Sequence, residues 1–387
     1  ILTQCNLRIG SHVSPYLQLC NEKLQIDGKM IGLADFVALA EQFRQLHAAW
    51  SATGPAGTML RYAEAWTALA FMWFAQRQVD WAVIETGVGG RFDPTNVLPS
   101  NLAVITNVDF DHTELLGQTL PEIAYHKAGI IKPGQLAVTA STDEAVLHVI
   151  REEAAKQQAQ LYCIGQDFDF SVQQIDASGA SITIQTPFRQ YADLHLGMSG
   201  LFQPLNAALA VTAADILREH HHLPVTAEAI QTALANANLP GRMEVMQTEP
   251  LVILDGAHNP HKMQALADSL RKLYPDRGIT AIIGMLMNKD ARASLQPLLP
   301  FLSRAVAVQP SVPGKPALPA TAMADLMRDM QPTLQCEAAS SVRDGIERCL
   351  AEIKPDDILL ITGSLYMLGE ARDYWVPKQQ VIQTLEQ

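Results

Sequence analysis

Residues 81–96 read Trp81-Ala82-Val83-Ile84-Glu85-Thr86-Gly87-Val88-Gly89-Gly90-Arg91-Phe92-Asp93-Pro94-Thr95-Asn96. The first four form an apolar run that predicts a buried strand. A carboxylate, a glycine turn, an arginine and a second carboxylate then leave its carboxyl end together, which is where open α/β sheets bind ligands. Three further segments repeat this design. Leu102–Thr106 runs into Asn107-Val108-Asp109-Phe110-Asp111-His112-Thr113, Leu251–Leu254 into Asp255-Gly256-Ala257-His258-Asn259-Pro260, and Ile358–Ile361 into Thr362-Gly363-Ser364-Leu365-Tyr366. One such strand end would be ordinary. Four, spread over both halves of the chain, predict a shared cleft.

Outward from this stretch, Phe36 to Trp50 has helical periodicity, Gly54-Pro55-Ala56-Gly57 breaks it, and Tyr62 to Ala75 is a second helix, apolar on most sides. Further strands are expected at 136–139 and 161–164, alternating with helices at 120–131 and 143–158, the pattern of a mostly parallel sheet. Residues 168–200 interrupt it, and Ser181–Thr186 alternates like an antiparallel strand of a small subsheet. Helices are expected again at 204–219 and 226–237. Asn238-Leu239-Pro240-Gly241-Arg242 marks a boundary, after which strands at 251–254, 279–283, 305–308 and 358–362 alternate with helices. The expected fold is α/β, two doubly wound domains: 1–238, with the subsheet near 168–200, and a smaller 239–387. Ile1–Gly10 has no initiator methionine, signal-peptide design or helix cap, and reads as the end of a helix running into a strand of a chain begun in mid-domain.

A chain of 387 residues suits two cores, and 48% hydrophobic with 18% charged residues is ordinary for a soluble globular enzyme. The net charge of −12 argues against nucleic acid or an anionic membrane as partner. No apolar run approaches the roughly 18–20 residues of a membrane span. Five cysteines, at 5, 20, 163, 336 and 349, lack C-x-x-C spacing, so neither a disulfide framework nor a zinc site is expected and the cytoplasm is the default location.

Glu85 is a candidate magnesium ligand, because magnesium takes one or two protein carboxylates and leaves positions for phosphates and water. The alternative is a carboxylate capping a turn. Arg242, at the boundary, could clamp phosphates bidentately or form a linker salt bridge. Asn206, read alone, is a helix cap after Pro204. Lys127 would ordinarily be a solvated helix residue.

Taken together and in order, these segments resemble the folylpolyglutamate synthase family, with its bifunctional dihydrofolate synthases, in the Mur ligase superfamily. The likeness covers nearly the whole chain. It includes Ser14-Pro15-Tyr16-Leu17 with Asn21-Glu22-Lys23, Glu85 to Asn96, Asp111-His112, His126-Lys127-Ala128-Gly129-Ile130 and Asn206-Ala207-Ala208. It continues through Gly241-Arg242, Asp255 to Pro260, Asn288-Lys289-Asp290 and Thr362-Gly363-Ser364. The resemblance implies a ligase that uses ATP and Mg2+, with two ions, to phosphorylate a folate carboxylate and then join it to L-glutamate. Ser14, Glu85 and His112 would hold metal, His112 at a second ion, and Lys127 would be carbamylated into a carboxylate-like bridge. Asn206, Arg242 and Asp255 would meet the nucleotide, Asp255 at its ribose, while His258 and Asn259 face the acyl-transfer centre. Asp93 would handle the pterin or orient substrate, and Ser364 would lie beside the amino acid or nucleotide. The family's habit of being monomeric is expected to carry over.

The chain departs from the family pattern in three places. No Gly-x-x-x-x-Gly-Lys-Ser/Thr loop occurs anywhere in it. The resemblance puts that phosphate loop upstream of Ile1, so the chain alone is expected to be poorly active. Tyr62-Ala63-Glu64 has alanine before the glutamate, where dihydropteroate-using relatives carry an aromatic residue, which favours folylpolyglutamate synthase. Pro316-Ala317-Leu318-Pro319 lacks an arginine common after the first proline, a change near the adenine. The competing readings are a degenerate homologue that binds without turnover, and a peptidoglycan Mur ligase.

Overall fold

In the computed structural model, residues 1–53, 59–312 and 314–386 are described. The expected Gly54–Gly57 break lies outside them. β1 (Ile9–His12), β2 (Leu24–Ile26), β3 (Lys29–Met30) and β4 (Trp81–Ile84) form one sheet in the order β3-β2-β1-β4, with β1 and β4 parallel. α1 (Leu33–Thr53) and α2 (Tyr62–Gln76) cover it through Leu39, Trp66, Leu69, Trp73 and Phe74. β5 (Leu102–Ile105), β6 (Leu136–Thr139) and β7 (Gln160–Cys163) form a second, all-parallel sheet.

The single parallel sheet expected here is therefore in two pieces. β4 and β5 do not pair; both edges border an open space that α6 (Gln203–His221) also lines. In consequence Val83 is 55% exposed and Val104 41%. α3 (Thr113–Leu116), α4 (Leu120–Ala128) and α5 (Glu144–Lys156) connect the strands, α4 opening on a Thr119/Glu122 capping box. The subsheet is present as three antiparallel strands, β8 (Asp169–Asp176), β9 (Gly179–Gln185) and β10 (Gln190–Leu196), packed on α6 and α7 (Ala227–Ala235).

Beyond residue 240 the chain builds one six-stranded sheet, in the order β11-β12-β16-β13-β14-β15: β11 (Glu244–Thr248), β12 (Leu251–Asp255), β13 (Ile279–Ile283), β14 (Leu302–Ala307), β15 (Gln335–Ala338) and β16 (Ile358–Thr362). Five strands are parallel and β11 is an antiparallel edge. Every residue of β12, β13 and β16 is buried, because helices cover both faces. Ile253, Ala281, Ile283 and Leu360 point to α8 (Pro260–Leu273), α9 (Ala291–Leu295) and α10 (Ala320–Met330). Val252, Leu254, Ile282 and Ile361 point to α11 (Val342–Glu352) and α12 (Leu365–Arg372). Among the described residues no helix is long and apolar enough to cross a membrane.

Candidate active site

The carboxyl ends of β4, β5, β12 and β16 open onto one cavity of about 1890 Å³. Ser14, Glu85, His112, Lys127, Asn206, Arg242, Asp255, His258, Asn259 and Ser364 all line it. Asp93 does not. Its carboxylate instead ties the glycine turn together, accepting from Gly87 N–H at 2.9 Å, Val88 N–H at 3.1 Å and Thr95 N–H at 3.0 Å.

The turn itself is set by steric need. Gly89 has φ +72°, and a Cβ there would sit 2.8 Å from Leu116; at Gly90 it would meet Ile130 at 2.8 Å and the His126 carbonyl oxygen at 2.9 Å. Arg91 N–H donates to that same carbonyl at 2.7 Å. The turn thus lies directly against the end of α4 that carries Lys127. Burial lowers the Lys127 pKa, with Asp111 opposing.

Glu85 follows β4 and accepts from Ser14 N–H at 2.6 Å. Its side chain is exposed to the cavity, whose walls still desolvate it enough to raise its pKa, against the pull of that amide, Arg242 and Lys23. The Ser14 hydroxyl accepts from Lys23 Nζ at 3.3 Å, and Lys23 is buried beneath the rings of Tyr62 and Trp66. His112 sits at the start of α3 in the left-handed region, φ 51°. Burial lowers its pKa, so the neutral imidazole that can bind a metal is favoured. Among the described residues no three His, Cys, Asp or Glu side chains gather into a metal cluster. The Glu85 carboxylate and the Ser14 hydroxyl are oxygen donors of the kind magnesium takes while leaving most positions to phosphate and water, whereas the His112 imidazole is a softer donor. Ser14 would have to turn from Lys23 to serve.

Across the cavity, Arg242 packs on Gly256, where a Cβ would lie 2.6 Å from its Nη1. It makes no ion pair among the described residues. Asp255 is buried, and its oxygens accept from Met243 N–H at 3.0 Å and Ala257 N–H at 2.9 Å, so it fixes the loop that presents His258. His258 Nδ1 lies 2.8 Å from the Gly256 carbonyl, which can only accept; Nδ1 therefore carries the proton. Burial holds the His258 pKa down despite the Asp111 contact, leaving a lone pair on Nε2. Asn259 caps α8. Asn206 is no helix cap: α6 begins at Gln203, and Asn206 lies within it, donating to Gln203 Oε1 at 3.0 Å. Ser364 precedes α12 and is buried.

Two cations that sequence reading gave no role stand in the same place. Lys262 and Lys289 both reach Asp111, at 3.1 and 2.6 Å. Lys289 was visible within Asn288-Lys289-Asp290, whereas Lys262 reads as a solvated helix residue.

Residues 38–214 match the family model of the Mur ligase middle domain, and residues 241–365 that of the Mur ligase glutamate ligase domain. The dihydrofolate synthase/folylpolyglutamate synthase of Bacillus subtilis is 31% identical, covering 96% of this chain and 85% of its own. The folylpolyglutamate synthase of Lacticaseibacillus casei is 33% identical, over 96% of this chain and 84% of its own. The chain belongs to the folylpolyglutamate synthase/dihydrofolate synthase family of Mur ligases. Its fold agrees: the Mycobacterium tuberculosis folylpolyglutamate synthase complexed with ADP superposes with a TM-score of 0.89 at 30% identity, covering 97% of this chain and 85% of that one.

Proposed function

We propose that the chain is an ATP-dependent amide ligase that adds L-glutamate to the γ-carboxylate of tetrahydrofolate through an acyl phosphate. The observation that carries this reading is the cavity in which Glu85, His112 and Lys127 of one half face Arg242 and His258 of the other. ATP phosphorylates the folate carboxylate, the amino group of glutamate attacks the acyl phosphate, and collapse releases phosphate. The protein's part is positioning and charge neutralisation. Magnesium, held by Ser14, Glu85 and His112, would supply charge to the phosphates. Lys127, already biased toward its uncharged amine, is the form that adds carbon dioxide to become a carbamate. Arg242 offers its fork to the transferring phosphoryl group. Neutral His258 has the lone pair to take a proton from the attacking amine. Asn206, Asp255 and Ser364 line the nucleotide side, with Asp93 acting through the glycine turn.

The working unit is proposed to be a cytoplasmic monomer of two domains, 1–238 and 239–387, that close over the substrates and shield the acyl phosphate from water. A strand seated between the open edges of β4 and β5 would pair with both, and the loop leaving it would meet Glu85 and Asn206. That is the place for a phosphate loop. The test is ADP release by the full gene product, assayed with ATP, a reduced folate and L-glutamate, each omitted in turn. Turnover that needs all three supports the reading. ADP release that continues without folate or without glutamate rejects it, and ligand binding without turnover favours the degenerate homologue.

A further inference from the structure

The end of α4 that carries Lys127 is held from outside the helix. The last carbonyls of a helix find no partner within it. Here the turn that follows β4 supplies the missing donors. Arg91 Nε donates to the Tyr125 carbonyl at 3.1 Å, and Arg91 N–H to the His126 carbonyl at 2.7 Å. Asn96 Nδ2 donates to the carbonyl of Gly129, the residue that caps α4, at 3.0 Å. Its second proton goes to the Arg91 carbonyl, also at 3.0 Å. Both partners are carbonyl oxygens, which only accept, so the amide nitrogen must be the atom that faces them.

Asn96 is itself fixed along its backbone. Its N–H donates to the Asp93 carbonyl at 2.9 Å, and its carbonyl accepts from Lys132 Nζ at 2.7 Å. Lys132 lies just beyond α4, so the turn and the helix end grip each other in both directions. The contact has no slack, since a Cβ on Gly129 would lie 2.3 Å from the Arg91 Cβ. A lysine side chain is long and flexible, so its amine is placed only as well as its Cα is. Through Asn96 the backbone of Lys127 becomes continuous with the turn that begins at Glu85. Asn96, Lys127 and Glu85 all line the same cavity.

We infer that Asn96 is a positioning residue for Lys127: by capping the end of α4 from the turn, it holds the Lys127 amine where a carbamate forms and persists. The inference rests on the ligase reading above, in which Lys127 takes up carbon dioxide. In that step the amine lone pair attacks the carbon, one C=O electron pair moves onto oxygen as the N–C bond forms, and an N–H proton leaves to water. The addition is reversible, so its occupancy reports how well the site holds the product. Asn96 touches neither the carbon dioxide nor the reactants and acts only through the backbone it fixes.

The test is carbon NMR of the full gene product equilibrated with isotope-labelled bicarbonate, the carbamate signal being assigned by its loss in Lys127→Ala. In Asn96→Ala the bicarbonate concentration that gives half the signal should rise about tenfold, the value of one to two hydrogen bonds. Asn96→Ser keeps one donor and should fall between. Asn96→Asp turns only acceptors toward two carbonyl oxygens and should be the weakest of the three. Asp215→Asn is the control for general loosening, because it disturbs a buried ion pair with Arg189 elsewhere in the same half. It should keep the parent's signal. The inference is overturned if Asn96→Ala and Asn96→Ser, folded by circular dichroism, match the parent, or if Asp215→Asn loses as much signal as Asn96→Ala. A parent without the signal rejects the carbamate and the inference with it. Glutamate ligation is judged separately by the ADP assay above, so the two failures remain distinct.

Discussion

Arg91 leaves the glycine turn with its guanidinium 3.9 Å from the centroid of the Tyr125 ring and its Nη2 2.6 Å from Glu153. Both partners of the ion pair are largely buried. Burial works against the Glu153 carboxylate, but the bonds from Arg91 and Gln157 prevail and lower its pKa. A lowered folded-state pKa means stability that is present above the ordinary glutamate value of about 4.3 and is lost as pH falls through the folded value. Glu153→Gln should therefore cost about 2 kcal/mol at neutral pH, read from urea midpoints, and the gap from the parent should close in acid. Glu85→Gln probes the proposed magnesium site instead. It should lower kcat/KM for ATP by about two orders of magnitude and shift the magnesium activation curve upward, with the thermal midpoint little changed. The places of Glu85 and His112 on the cavity wall were legible because both follow apolar strands in sequence. The ion pairs of Asp111 with Lys262 and Lys289 were not. These lysines lie 151 and 178 residues away, and nothing local distinguishes a paired lysine from a solvated one.

The segment after β1 illustrates the same division among elements. Glu22 gathers the amides of Leu17, Gln18 and Leu19 at 2.6–2.9 Å, giving the Ser14 segment a fixed shape. That shape docks on α12. Gln18 Nε2 donates to the Val376 carbonyl at 2.9 Å, and Arg372 bridges Gln18 to Glu244, the residue whose other oxygen accepts from Gly241 N–H at 2.8 Å. One hydrogen-bonded path thus runs from the Ser14 segment to the backbone beside Arg242. It passes Gly369, where a Cβ would lie 2.0 Å from the Leu17 carbonyl oxygen, a backbone atom that cannot swing aside. Gly369→Ala should lose about 2 kcal/mol of stability and raise KM for magnesium-ATP by displacing Ser14; differential scanning and initial rates would read the two effects. Long periodic helices such as α2 and the apolar strands β12, β13 and β16 could be read from sequence. The edge strands β11 and β15 could not, because Glu244–Thr248 and Gln335–Ala338 mix polar with apolar residues and owe their strand form to a neighbour. The split of the N-terminal sheet was equally hidden, since each strand has a good local pattern and only the pairing is missing.

At the scale of the molecule, the two halves that share the cavity are unequally closed. In the C-terminal sheet β12, β16 and β13 lie side by side, every residue buried, with helices on both faces. Their amides can exchange only when that core opens. In the N-terminal half β4 pairs only with β1, and β5 only with β6, among the described residues. None of the four residues of β4 is buried. An amide facing the open space needs no unfolding to meet water, and a short strand with one partner frays cheaply. Hydrogen exchange followed by mass spectrometry should therefore find β4 and β5 exchanging at least about 100-fold faster than β12, β13 and β16. The same experiment bears on the phosphate-loop proposal. A segment pairing with both open edges would satisfy the facing amides and cover Val83 and Val104, so in the full gene product β4 and β5 should approach the protection of the C-terminal sheet. If they stay as fast as in residues 1–387 alone, no strand pairs with those edges, and the phosphate-loop proposal fails at this place.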